Sequence, residues 1–166
     1  MTVHAHESSS RRTRRSATMG GMPVNDMPWW RWRSNVRSAL HMLSDAVFQE
    51  TYWLAGRPGY GDVTDAVYRL VEDTWLDHWS AEKYVGAVFR DAEEAAAVDA
   101  AVLPVLRILH QVGADAPVAA YLEHPGWAQA RQAAHVAHVL LAHNDGDDPQ
   151  EPVKSLEVLA IMLRAA

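Results

Sequence analysis

The 166-residue chain contains no cysteine. Disulfides, thiolate metal sites and thiol nucleophiles are therefore excluded, which agrees with a reducing cytoplasm, the location expected here. Nor does the chain have a clean apolar run of the roughly 20 residues that a bilayer requires. Its most apolar stretch, residues 95–112, is interrupted by Asp99, Pro104 and Arg107 and reads as a buried helix of a soluble protein, so no membrane partner is expected. A phosphate-cradling glycine and lysine loop, a glycine-flanked serine nucleophile and a dinucleotide fingerprint are all missing. Gly56, Gly59 and Gly61 follow a predicted helix rather than a strand and so make a turn. No segment sustains the apolar/polar alternation of a strand, so no sheet is required.

What is present is an ordinary globular composition, 49% hydrophobic and 22% charged, at a length where one domain buries roughly 70% of its unfolded surface. The charge is unevenly placed. Residues 1–22 carry Arg11, Arg12, Arg14 and Arg15 against Glu7, a local +3 that leaves −9 for the remainder of a chain whose total is −6. An acidic body repels phosphate backbones, so nucleic acid is not an expected partner of the folded part. Residues 1–25, basic and nearly free of apolar side chains, are expected to be disordered, and 26–166 to form one helical domain. The Arg11-Arg12 pair lacks the apolar segment of a twin-arginine export signal. Met19 and Met22 are alternative starts to Met1.

Helical punctuation recurs along the domain. Asp26 and Pro28 signal a start, and Trp29, Trp32, Val36, Leu40 and Leu43 form one apolar stripe running to about Ser44. Asp45 caps a second helix with Val47, Phe48 and Trp53, ended by the glycine cluster. Asp62 opens a third, with Val63, Ala66, Val67 and Leu70 inward. A loop with Trp75 and Trp79 follows, then a helix capped by Ser80 and running through Phe89. Asp91 and Glu94 have capping-box spacing ahead of the stripe Ala95, Val98, Val102, Val105, Leu109 and Val112, kinked at Pro104 and closed by Gly113. Asp115 and Pro117 begin a short helix to about Glu123. Pro125 starts another through Trp127, Ala130, Ala134, Ala137 and Leu141, an acidic solvated loop covers 144–151, and a final helix holds Leu156, Leu159 and Leu163. The result is an all-α array of about seven helices.

Three clusters are candidates for function. Trp29, Trp30, Arg31, Trp32 and Arg33 are the densest. There the wheel sends Trp29 and Trp32 into the core and aligns Trp30 with Arg33, Arg37 and His41 on an outer face, where a guanidinium can lie over the indole. Tryptophan and arginine are enriched at binding hot spots, so this face suits a protein partner. Glu72, Asp73, Trp75, Asp77, His78 and Trp79 read as a helix end that exposes acids and buries indoles, a rim suited to a basic partner. His135 and His138, flanked by His124 and His143, lack the glutamate of a zincin, and the 144–148 loop fails the calcium-loop register at Leu141 and Pro152. No cofactor and no metal site is expected.

The segments 22–33 (MPVNDMPWWRWR) and 60–70 (YGDVTDAVYRL) resemble those of a family of small, functionally uncharacterised actinobacterial proteins. Trp75-Leu76, Tyr84-Val85-Gly86, Phe89 and Glu93-Glu94 resemble helical bacterial immunity-type proteins, a likeness that implies toxin binding and transfers no functional residue. The expected function is that of a non-catalytic, cytoplasmic protein that binds another, as yet unidentified, protein through Trp30, Arg33 and Arg37 or through Asp73, Trp75, Asp77 and Trp79. The alternative is a small metal-assisted hydrolase using Glu72, Asp73, Asp77 or the histidines.

Overall fold

A computed structural model describes residues 29–71 and 74–147. Among these the chain forms six α-helices, α1 (Trp29–Ser44), α2 (Ala46–Phe48), α3 (Val63–Val71), α4 (Ala92–Val112), α5 (Val118–Leu122) and α6 (Trp127–Asp145), and no strand. The all-α class stands. The basic tail and the helix carrying Leu156, Leu159 and Leu163 lie outside the described residues.

The main helices pack in a spatial order unlike their order in sequence: α1 lies against both α3 and α6, and α6 against α4. Small inward residues, Ala39 on α1, Ala95 and Ala101 on α4, and Ala130, Ala134 and Ala137 on α6, are all buried. They let helix surfaces approach closely. Larger side chains, Leu40, Leu43, Leu70, Phe89, Tyr121 and Trp127, fill the remaining space.

Local chemistry explains where the helices begin and end. Asp62 and Asp65 cap α3 reciprocally, each carboxylate accepting the other's backbone N–H at 3.1 Å. Gly61 precedes them at φ +69°, where an added Cβ would lie 2.7 Å from Asp65 Oδ2, so the turn requires glycine. Asp45 accepts the Phe48 N–H at 2.9 Å, as its capping role predicts, but after Phe48 the chain widens into a π-helical segment, Gln49–Leu54. The helix expected from Ser80 through Phe89 is one 3-10 turn, Ala81–Tyr84. It ends because Gly86 adopts φ +81° and the Tyr84 carbonyl collects the N–H groups of Ala87, Val88 and Phe89.

Helix α4 continues unbroken through Pro104. By length and composition it is apolar enough to cross a membrane, with a mean hydropathy of 1.4, which corrects the view that its interruptions rule this out. Here its inner stripe packs in the core, and Glu93, Arg107 and His110 lie on its exposed side.

Candidate functional site

The N-terminal half of α1, the start of α4, the end of α6 and the turn before α4 meet at a cluster of charge. Arg33, from the second turn of α1, is only 8% exposed. Its Nη1 and Nη2 donate to the two oxygens of Glu94 at 2.8 Å each, a bidentate fit that guanidinium and carboxylate share. Nη1 also donates to the Val88 carbonyl at 2.8 Å, and Nε and Nη2 reach Asp145 at 2.8–3.1 Å. All five guanidinium N–H groups are thereby used.

Glu94 is fully buried. Besides Arg33 it accepts the Arg90 backbone N–H at 2.8 Å and the Asn144 side-chain amide at 2.9 Å. Its own backbone N–H donates to Asp91, which caps α4. Burial opposes its charge, yet the hydrogen bonds from Arg33, Arg90 and Asn144 prevail and lower its pKa from 4.5 to about 2. For Arg33, burial likewise opposes the charge, and the hydrogen bonds to Glu94 and Asp145 outweigh it and raise the pKa. Arg37 extends the cluster outward, to Asp145 at 2.8 Å and Asp147 at 2.6 Å.

This arrangement does not suit proton transfer, because the carboxylate stays ionised and both partners are saturated with hydrogen bonds. What it does is cross-link three helices. The stability linked to Glu94 is present above pH 4.5 and is lost as pH falls toward 2, by an amount on the order of 3 kcal/mol. His41, half-buried on α1 against the ring of His138 at 5.1 Å, has its pKa lowered by burial despite Asp45. The folded state therefore resists protonation there as well, and stability begins to fall below the ordinary histidine value of 6.5. Urea unfolding at pH 7, 5.5, 4.5 and 3 is expected to show both losses, with Glu94→Gln removing most of the slope below 4.5. A parent that is equally stable at pH 4.5 and pH 3 would contradict this.

Above the cluster lies an open groove of about 540 Å³, lined by Trp29, Arg33, Asp145 and residues 86–90. Trp29 stands at its rim, 61% exposed, and the next residue along α1, Trp30, is 58% exposed. The exposure of Trp30 matches the sequence reading. That of Trp29 corrects it, since the stripe reaches its core only from Trp32 onward and the first turn of α1 projects past its neighbours. Arg33 and Arg37 do not form a free face beside Trp30. They point into the charge cluster because Glu94, Asp145 and Asp147 are there to receive them. Of the loop expected over 144–151, residues 148–151 lie outside the described residues, and the remainder is not simply solvated: Asn144 donates its side-chain amide to Glu94, while Asp145 and Asp147 accept from the arginines. The cations found over aromatic faces are elsewhere: Arg57 lies over Tyr52, and Lys83 lies over Trp79.

The second candidate region is only partly described, because Glu72 and Asp73 lie outside the described residues. Trp75 is half-buried at φ +59°, a left-handed conformation costing roughly 1–2 kcal/mol in a residue with a Cβ. Asp77 is exposed and contacts His78 at 2.7 Å. Trp79 is half-buried, with the Lys83 ammonium 2.9 Å from its ring centre. The Tyr84 hydroxyl has its pKa raised by burial and by Asp77, and its ring meets Trp32 edge-on at 5.2 Å. The acidic turn thus adjoins the start of α1. Among the described residues no group of three or more histidine, aspartate or glutamate side chains could hold a metal ion.

Reading the sequence alone misses Glu94, Asp145, Arg90 and Asn144 as partners. One signal for them was available. Arg31 and Arg33 sit in the opening turns of α1 and Asp145 in the last turn of α6, each with the wrong sign for its helix dipole, which calls for a compensating charge. No curated protein and no solved structure matches the chain. A family model described as a domain of unknown function (DUF7945) matches residues 27–149.

Proposed function

We propose that this chain, which belongs to the DUF7945 family, acts by binding another protein through the Trp29–Trp30 rim and the groove beneath it. The carrying observation is the pair of indoles adjacent in sequence, each more than half exposed, of which Trp29 lines the groove whose floor holds Arg33 and Asp145 of the charge cluster. Exposed indole is costly to leave in water and is enriched where binding energy concentrates. A floor tied to three helices holds the rim in place before binding, which reduces the ordering cost of association. Gly86, which also lines the groove, leaves room there, with nothing within 4 Å of where a Cβ would stand. Asp77, with Trp75 and Trp79 behind it, supplies an adjoining acidic edge that would steer a basic partner. The likeness to immunity-type proteins extends this reading to a toxin as the partner, met in the cytoplasm.

A pull-down with the parent, Trp29→Ala/Trp30→Ala and Asp77→Lys as baits tests it, with the product of a neighbouring toxin-like reading frame as prey. The indole variant is expected to weaken recovery by about 30-fold or more, in line with hot-spot losses of about 2 kcal/mol or more. Asp77→Lys is expected to slow association in low salt. Equal recovery by all three baits would exclude both surfaces.

A further inference from the structure

The groove has one charged group left to offer. Of its charged lining, Arg33 has every side-chain N–H engaged, and the Asp145 carboxylate already accepts from Arg33, Arg37 and Arg90. Arg90 differs. Its side chain is 56% exposed and touches Asp145 only at 3.3 Å, and its other side-chain N–H groups have no partner among the described residues. A guanidinium with unspent donors matches the planar fork of a carboxylate.

The backbone of the wall has the opposite need. Its N–H groups are all spent: Gly86 donates to the Phe89 carbonyl, Ala87, Val88 and Phe89 donate to the Tyr84 carbonyl, and Arg90 donates to Glu94. The Val88 and Phe89 carbonyls are taken as well, by Arg33 and by Gly86. Those of the exposed Gly86 and Ala87 accept nothing among the described residues. Open carbonyls call for N–H donors, and a molecule that brings N–H groups together with a carboxylate is a peptide. Trp29 completes the lining with an indole that gains by being covered with an apolar side chain.

We infer that the groove takes a short extended peptide segment of the partner, with a carboxylate on Arg90, an adjacent large apolar side chain on Trp29 and backbone N–H groups on the Gly86 and Ala87 carbonyls. Backbone bonds then hold the segment while side-chain contacts select it. The inference rests on reading the groove as a docking surface, and it adds what docks there. A bare anion would leave both carbonyls without a donor. Asp77 acts on the partner's overall charge from a distance, whereas Arg90 selects one group on contact.

Two blocked pentapeptides serve as probes: acetyl-Ser-Leu-Glu-Leu-Ser-amide and its counterpart with lysine in place of glutamate. Binding is followed through the NMR signals of the Trp29 indole N–H and the Ala87 and Arg90 amides. The parent is expected to bind the glutamate peptide at least about tenfold more tightly than the lysine peptide, equivalent to about 1.4 kcal/mol. Arg90→Glu should reverse the preference and Arg90→Gln should remove it. Both variants keep the bond to Glu94, which runs through the backbone N–H of residue 90. Trp29→Ala should weaken the glutamate peptide by about tenfold or more. Equal affinity of the parent for the two peptides, a parent that prefers lysine, or no shift of the three signals up to about 10 mM peptide would overturn the inference. Inorganic phosphate that binds as tightly as the glutamate peptide would overturn it as well. Any of these results leaves the pull-down free to succeed through other contacts. Conversely, Arg90-dependent peptide binding with equal recovery by all baits would support the peptide site and refute the rim as the partner's contact.

Discussion

Replacing Glu94 with alanine is expected to destabilise the fold by about 3–5 kcal/mol, the cost of leaving one partner of a buried ion pair uncompensated. Arg33 would keep its charge at the junction of α1, α4 and α6 with only Asp145 and the Val88 carbonyl to receive it. The Arg90 N–H and the Asn144 amide would lose their acceptor. Glu94→Gln retains one acceptor oxygen and should cost less than alanine. Arg33→Met/Glu94→Leu should cost less than the sum of the two single changes, because it removes both charges together. Urea unfolding of Glu94→Ala, Glu94→Gln, the double variant and its two single changes checks this. An alanine variant within about 0.5 kcal/mol of the parent, the range of ordinary surface changes, would show that the cluster does not carry the fold.

Trp127→Ala should be comparably damaging, about 3–5 kcal/mol for an aromatic truncated in a packed core. Trp127 is buried at the start of α6, with its ring 6.5 Å from that of Tyr121. Its indole N–H donates to Gln49 Oε1 at 3.1 Å, and the Gln49 amide donates onward to the carbonyls of Met42 and Leu43 at 2.9 and 2.8 Å. Gln49 thus satisfies two carbonyls near the end of α1 from within the π-helical segment, and Trp127 completes the chain of bonds. Trp127→Phe keeps most of the volume but leaves Gln49 Oε1 without its donor, for an expected loss of about 1–3 kcal/mol. Unfolding midpoints separate the two effects. A phenylalanine variant as stable as the parent would mean that the Gln49 bonds are dispensable.

The sequence announces the helices for a definite reason. Val36, Leu40 and Leu43, Val63 to Leu70, Ala95 to Val105, and Trp127 to Leu141 repeat at helical spacing, and a stripe is a local property of the chain. Caps at Asp45, Asp62 and Asp91 are local as well. The charge cluster is not, since Arg33 lies 61 residues from Glu94 and 112 from Asp145. Such pairs appear only once α1, α4 and α6 are packed. The same limit misplaces Trp29: periodicity shows which side of α1 faces inward but not how far the neighbouring helices extend. Trp30 could be read as exposed because it falls off the stripe. The π-helical widening at Gln49 depends on carbonyls and an indole supplied by other helices, so nothing local marks it. Ser80 does cap the following turn, but Asp99 on α4, which accepts the Ser80 hydroxyl and the Ala81 N–H, belongs to packing that no window around Ser80 contains.

The rim can present its indoles because an ionised Glu94 locks Arg33, and through it the start of α1, to α4 and α6. Following the Glu94 side-chain carboxyl carbon by NMR from pH 7 down to pH 2 tests that lock directly. A resonance that stays in its ionised position through pH 3 and moves only near pH 2 is the predicted result, whereas a midpoint at or above 4.5 would contradict it.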